Sequence, residues 1–244
     1  MHPHIIYKQR GENLAELVVR ARQFFDIPIN TPITYAGRLD PLAEGVMILL
    51  SGDDVHHKEI FLGLDKVYTV TVVLGITTDS YDVLGMPTLQ NNNMITKENI
   101  IDVLYKQKNI TTQTYPQYSS KTVNGVPLWK HTRDGNQVEL PTRDVKIHDV
   151  ILIETSIITA SELLKQVRYI TDTVQGDFRQ NEIYNTWEKI FSHDETFHTL
   201  VIRYHVGSGT YIRNLVHELG QDLGTGAVIL KLVREQVGDY IIEK

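Results

Sequence analysis

The chain has 244 residues, enough for one large domain or two small ones, and its 41% hydrophobic and 22% charged content is that of a globular protein with a sizeable core. The absence of cysteine excludes disulfide frameworks and thiolate metal sites and fits a reducing compartment. A formal net charge of -6 weighs against a dedicated nucleic-acid-binding module, whose domain is usually basic. No apolar run reaches the roughly 18 residues of a membrane helix, and Met1-His2-Pro3-His4 lacks the basic and apolar regions of a signal peptide, so the expected location is cytoplasmic.

In chain order, Asn13 is an N-cap for an amphipathic helix over 13–25, with Leu14, Leu17, Val18 and Ala21 on one side. Residues 46–50 read as a buried strand, fed by the loop Gly37-Arg38-Leu39-Asp40-Pro41. Pro41 pushes Asp40 out of helical geometry and fixes the backbone after it. An acid held rigidly at the mouth of a core strand suits a nucleophile or general base. On spacing alone it suits a turn cap as well, the commoner use of Asp before Pro. Residues 66–75 alternate as a strand, with Tyr68, Val70, Val72 and Leu74 on one face, and a polar loop follows over 77–85. Helices are expected over 97–106, 161–171 and 180–191, and strands over 145–159 and 197–206. Gly207-Ser208-Gly209 enters a helix over 210–223 that Gly224 closes, and 227–242 is a strand bent at Gly238. Strands and helices alternate without a strict βαβ rhythm, which predicts a mixed α+β fold.

The net charge hides an asymmetry. Residues 104–148 carry a net +4 together with Tyr105, Tyr115, Tyr118 and Trp129, whereas residues 149–200 carry a net -5. Cations interleaved with aromatics suit phosphates and unstacked bases, although charge alone fits an ordinary solvated face equally. Competing motifs fail: His217-Glu218 is followed by Gln221 where a zinc helix needs its second histidine, His56-His57 has no carboxylate at ligand spacing, and Gly207-x-Gly209 lacks the third glycine of a dinucleotide loop.

Residues 37–46, with Gly37, Leu39, Asp40, Pro41, Ala43, Gly45 and Val46, resemble the catalytic motif of the pseudouridine synthases and, more narrowly, of the TruB family, which converts a uridine in the T-loop of transfer RNA. Four further segments resemble that family in order: Asp65-Lys66-Val67-Tyr68; Gln113 to Gly125 with Pro116, Tyr118 and Ser119, continued by Trp129 and Arg133; Gly209-Thr210-Tyr211-Ile212-Arg213; and Gly224-Thr225-Gly226-Ala227 with Leu232, Arg234 and Gly238. Lys8 and Gly11 match the family's opening motif, with Asn13 at a Thr/Ser position. The resemblance implies the pseudouridine synthase fold, a mixed and mainly antiparallel sheet with flanking helices, in a single catalytic domain over 1–244.

The implied roles follow residue by residue. Asp40 is the nucleophile, Tyr68 stacks on the target base and is the base for proton removal, and Arg213 pairs with Asp40, with an arginine fork able to hold a carboxylate by two parallel bonds. Lys8, Arg38, Tyr118, Lys130, Arg133, Tyr211, Leu232 and Arg234 are implied in substrate binding. The implied partner is tRNA through its T-arm, modified by a monomer at position 55 with no cofactor, no metal and no membrane. A small C-terminal RNA-binding domain common in the family is not expected here. Departures are Tyr35 in place of a histidine, His56 in place of a lysine, Lys121 one residue early, and residues 170–195, which match no usual pattern of the family. A catalytically silent RNA-binding or tRNA-folding protein on the same scaffold is the alternative; the joint presence of Asp40, Tyr68 and Arg213 ranks it second.

Overall fold

The computed structural model describes residues 2–91 and 95–242. The N-terminal half runs through β1 (His4–Lys8), α1 (Leu14–Phe24), β2 (Ile33–Tyr35), β3 (Glu44–Ser51), a 3-10 segment (Gly52–His57), α2 (Lys58–Leu62), β4 (Lys66–Leu74), β5 (Ile76–Thr78), β6 (Pro87–Leu89) and α3 (Lys97–Gln107). Then come β7 (Thr112–Thr114), β8 (Thr122–Val123), β9 (Val126–Pro127), α4 (Leu128–Arg133), β10 (Thr142–Asp144) and β11 (Ile147–Thr159). The chain continues through α5 (Ala160–Thr173), α6 (Gln180–Ile190), β12 (Thr196–Val206), α7 (Ile212–Asp222), β13 (Ala227–Val237) and β14 (Tyr240–Ile241). No helix among the described residues is long and apolar enough to cross a membrane.

One eight-stranded sheet, ordered β1-β3-β13-β4-β12-β11 with β2 added to β3 and β14 to β13, organises the chain. Every pair is antiparallel except β3 with β13, which run parallel where Val233 faces Glu44 and Arg234 faces Gly45. Gly45 has φ +122°, and a Cβ there would collide with the Arg234 backbone, so only glycine lets the two strands approach. The alternation along β3 feeds two apolar cores. Met47 and Leu49 join the large core shared with Leu17, Leu104, Val167, Trp187 and Leu219, while Val46, Ile48 and Leu50 join a smaller one with Ala36, Phe61 and Val237.

The Asn13 cap agrees with the sequence. Asn13 accepts from the Ala15 and Glu16 amides at 2.9 and 3.0 Å, and Thr159 with Glu162 forms a capping box on α5. The bend in the last strand is a hairpin turn at Gly238, with φ +54°. Boundaries shift by one or two residues, and one shift bears on the site. Helix α7 starts at Ile212, not Thr210, because Tyr211 stays extended with its amide taken by the Gln113 side chain at 2.9 Å. The basic stretch, read in the sequence by charge, aromatics and motif but not by secondary structure beyond its ends, contains the β7–β10 pair, the β8–β9 hairpin and α4.

Candidate active site

Asp40 sits in the loop between β2 and β3, and two buried cations fasten that loop by its backbone. The Lys8 ammonium donates to the carbonyls of Ala43 (2.7 Å), Gln9 (3.2 Å) and Asp40 (3.3 Å). The Arg234 guanidinium donates to Val46 (2.8 Å) and Arg38 (3.3 Å). Both side chains are only 1% exposed. Burial pushes the Lys8 ammonium down to about 8, against the opposing pull of Glu12, Asp40 and Glu44. The tight turn closes with the Ala43 amide on the Asp40 carbonyl at 3.0 Å and the Gly11 amide on Pro41 at 2.9 Å. The loop is thus held at both ends, and the Asp40 carboxylate projects from a fixed backbone.

Arg213, on the first turn of α7, donates its Nε proton to the Asp40 carboxylate at 2.8 Å. Its other two nitrogens donate to the backbone carbonyls of Ser80 (2.8 Å) and Tyr118 (2.9 Å). The two-bond fork expected from the sequence is therefore replaced by one charge-assisted bond to Asp40 and two to the flanking loops, and the planar group ties three segments together. Arg213 is 5% exposed and Asp40 40%, so the arginine is enclosed while the carboxylate faces the cleft. Behind the arginine lies Asp82, whose carboxylate accepts from the Ser80 hydroxyl (2.8 Å) and the Leu84 amide (3.0 Å). Burial pushes Asp82 up to about 6, with Arg213 acting in the opposite direction.

The cleft over Asp40 has a volume of about 450 Å³. Tyr68, Leu232, Leu39 and Ile212 give it apolar walls, and Arg38, Arg143 and Tyr211 line its polar side. The Tyr211 ring meets Tyr115 edge-on at 5.5 Å, and the Arg143 guanidinium stands 5.8 Å from the Tyr115 centroid. Burial, then the nearby Asp40, raises the Tyr211 phenol above its ordinary value. An apolar slot of this size beside a carboxylate, with cations at its edge, can receive a flat heterocycle while its charged backbone stays outside.

Most of the sequence-predicted residues converge here: Asp40, Arg213, Tyr68, Tyr211, Leu232 and Arg38 all line the cleft. Arg234 lines the cleft as well, and Lys8, Tyr118, Arg133 and Lys130 have different surroundings. Lys8 and Arg234 also act as backbone clamps, with their donors engaged by buried carbonyls. The Tyr118 hydroxyl donates to Asp79 (3.0 Å) and accepts from Arg179 (3.1 Å), and Arg133 pairs with Asp177 at 2.8 Å. Residues 170–195, unassigned by motif, thus dock onto the basic stretch through Asp177 and Arg179. Lys130 stands exposed on α4. Sequence reasoning missed Arg143 and Lys66. Lys66 lines the cleft with an ammonium that donates to the Leu62 carbonyl (2.7 Å) and to that of Leu64, and burial pushes it down to about 8. Arg143 is one of two arginines in the basic stretch, and only the pairing of β10 with β7 brings it to Tyr115.

The sequence pattern of the TruB family pseudouridylate synthase (N terminal domain) matches residues 29–173, a stretch that contains Asp40 and Tyr68. The chain belongs to this family. It is 29% identical over 239 residues to tRNA pseudouridine synthase B of Fusobacterium nucleatum, covering 98% of this chain and 68% of that one. It is 30% identical over 210 residues to tRNA pseudouridine synthase B of Colwellia psychrerythraea, covering 86% and 54%. The chain therefore spans about half to two thirds of the length of these TruB relatives. Among solved structures, a Cbf5-Nop10-Gar1 complex contains a chain that superposes with a TM-score of 0.60 at 18% identity, over 98% of this chain and 50% of that one. A likeness at that identity shows a shared fold, the sheet with its flanking helices.

Proposed function

We propose that this TruB family protein isomerises a uridine in the T-loop of tRNA, at position 55, to pseudouridine, with Asp40 as the nucleophile. The observation that carries this reading is the Asp40 carboxylate on a clamped loop, 2.8 Å from the buried Arg213, facing a cleft walled by Tyr68 and Leu232. The target base must leave its stack to enter. Asp40 then forms a bond to the nucleotide, at the sugar C1′ or at uracil C6, and the bond between N1 and C1′ breaks with its electron pair leaving on the uracil. The uracil turns within the slot and C5 bonds to C1′; Asp40 is displaced from C1′ by that bond or, after attack at C6, is expelled from C6 as the C5 proton departs and C5=C6 re-forms, and N1 gains a proton. Atoms and electrons balance, so the step is an isomerisation. In this reading Tyr68, a wall of the cleft, stacks on the uracil and takes the C5 proton, and the Arg213 guanidinium holds Asp40 in line.

Arg38, Lys130 and Arg143 are the cations that meet the RNA backbone in this reading, with Tyr211 and Leu232 against the base. Chemical mapping of pseudouridine after incubation of unmodified tRNA with the protein tests it: modification of the T-loop uridine is expected, in whole tRNA and in a T-arm hairpin. Binding of tRNA without any pseudouridine would instead identify a catalytically silent RNA-binding protein on the same scaffold.

A further inference from the structure

Away from Asp40, the carboxylate of Asp65 and the ring nitrogens of His148 and His205 lie within 4.8 Å of one another. The Asp65 Oδ2 is 3.1 Å from His148 Nε2 and 4.0 Å from His205 Nε2, and the two imidazole centroids are 4.6 Å apart. The sheet builds this meeting. In the pairing of β11 with β12, Ile147 faces Val206 and Asp149 faces His205, which leaves His148 as the extra residue of a bulge. Bulges re-aim side chains, and this one brings the His148 ring onto that of His205. Asp65 enters from the turn before β4, where its carbonyl is fixed by the Gly238 amide at 2.8 Å. Asp149, the other carboxylate opposite His205, is engaged by Lys108 at 3.1 Å.

His148 Nε2 is enclosed and makes no hydrogen bond, even though the Asp65 oxygen is 3.1 Å away. The two atoms are close without being aligned as donor and acceptor, so neither satisfies the other. Buried polar atoms are rarely left this way without a reason, and affinity for an ion is one such reason.

We propose that Asp65, His148 and His205 form a binding site for a divalent transition-metal ion of the zinc class. Ligands held about 2.0–2.2 Å from a tetrahedral ion stand roughly 3.3–3.6 Å from one another, and the two nitrogen-to-oxygen separations bracket that spacing. Two imidazoles and one carboxylate suit zinc, cobalt or nickel, whereas calcium and magnesium take oxygen ligands. Three protein ligands leave a position for water. His205 points away from its buried neighbours Tyr204 and Val206, so the ion sits on the far side of the strand from the core. It would tie the starts of β4 and β11 to the end of β12. Lys66 and Gly207, immediately next to Asp65 and close after His205, line the catalytic cleft, so the role is to stiffen that wall and not to enter the reaction.

The test uses the full chain without a histidine tag. Calorimetric titration with zinc chloride, and cobalt absorption spectra, should show one ion per chain, and zinc should raise the thermal unfolding midpoint. Removing even an outer partner of a metal ligand typically weakens binding roughly 10- to 100-fold, so His205→Ala and Asp65→Asn should each cost at least that. Both side chains are about half exposed, so these variants fold. A His56→Ala/His57→Ala variant should bind zinc as the wild type does, and a large excess of magnesium should not displace cobalt. Zinc binding unchanged in His205→Ala and Asp65→Asn, zinc binding lost in His56→Ala/His57→Ala, displacement by magnesium, or no zinc binding by the wild type would each overturn the proposal.

Discussion

The loop that carries Asp40 and the basic stretch at residues 104–148 use the same residue types in opposite ways. Three cations around the loop are enclosed: Lys8, Arg234 and Arg213 donate to backbone carbonyls, and of their bonds only one, from Arg213, reaches a carboxylate. Along the basic stretch Lys130 and Lys146 stand in solvent, and Arg133 is paired with an exposed acid. A buried cation determines the shape of a loop because its removal leaves carbonyls unpaired; an exposed one leaves the fold unchanged and is available to a phosphate. In the proposed reading, the buried charge of the first region positions Asp40, and exposed cations such as Lys130 meet the RNA.

The largest expected effect separates the two regions directly. Lys8→Met should cost about 3–5 kcal/mol of stability, the range for breaking a buried charged network, whereas Lys130→Met should stay within about 0.5 kcal/mol. Denaturant unfolding of both variants measures the contrast, and equal losses would break it. Arg213→Lys should slow the single-turnover chemical step about ten- to a hundredfold, because lysine keeps the charge but cannot serve Asp40, Ser80 and Tyr118 at once; one charge-assisted bond is worth roughly 1.5–3 kcal/mol. The tRNA binding constant should change little, and a collapse of affinity with an intact chemical step would recast Arg213 as an RNA-binding residue.

A smaller effect is a pH dependence of stability. Lys8 and Lys66 release their protons near 8 in the folded protein but near 10.5 when unfolded. Between those values the unfolded chain binds more protons, so stability rises with pH across this window, by up to about 2 kcal/mol per lysine from about pH 8 to about 9.5. Lys8→Met should remove its share of the slope in denaturant titrations at a series of pH values; a flat profile in the wild type would mean that the two ammonium groups are better solvated than their burial implies. Smallest is the salt effect. Where Lys130 and Lys146 each neutralise one phosphate, Lys130→Ala and Lys146→Ala should each flatten the salt dependence of tRNA binding by about 0.7–0.9 log units per log unit of salt. An unchanged slope places the RNA footprint elsewhere.

The sequence carried much of this architecture because its signals were local. Asn13 and the Gly238 bend fixed element ends, alternation marked β4, and the Asp-Pro loop before an apolar run located the candidate nucleophile. Tyr68, Tyr211, Leu232 and Arg213 were legible through family motifs alone, since nothing in their spacing brings them to one cleft. What local signals cannot carry is burial across the sheet. Lys8 and Arg234 become buried clamps only when β1 and β13 close on both sides of β3. The docking of Asp177 and Arg179 on Arg133 and Tyr118, and the meeting of Asp65, His148 and His205, depend on pairings between segments far apart in the chain, one of them set by a single bulge.

The central claim is that Asp40 performs the chemistry while other groups bind the RNA. Asp40→Asn keeps the size of the side chain and can still accept the Arg213 proton, but it removes the nucleophilic carboxylate. With unmodified tRNA under single-turnover conditions, the variant is expected to bind with nearly the wild-type dissociation constant and to form no pseudouridine at the T-loop uridine. Pseudouridine formed by Asp40→Asn at a rate near that of the wild type would contradict the account.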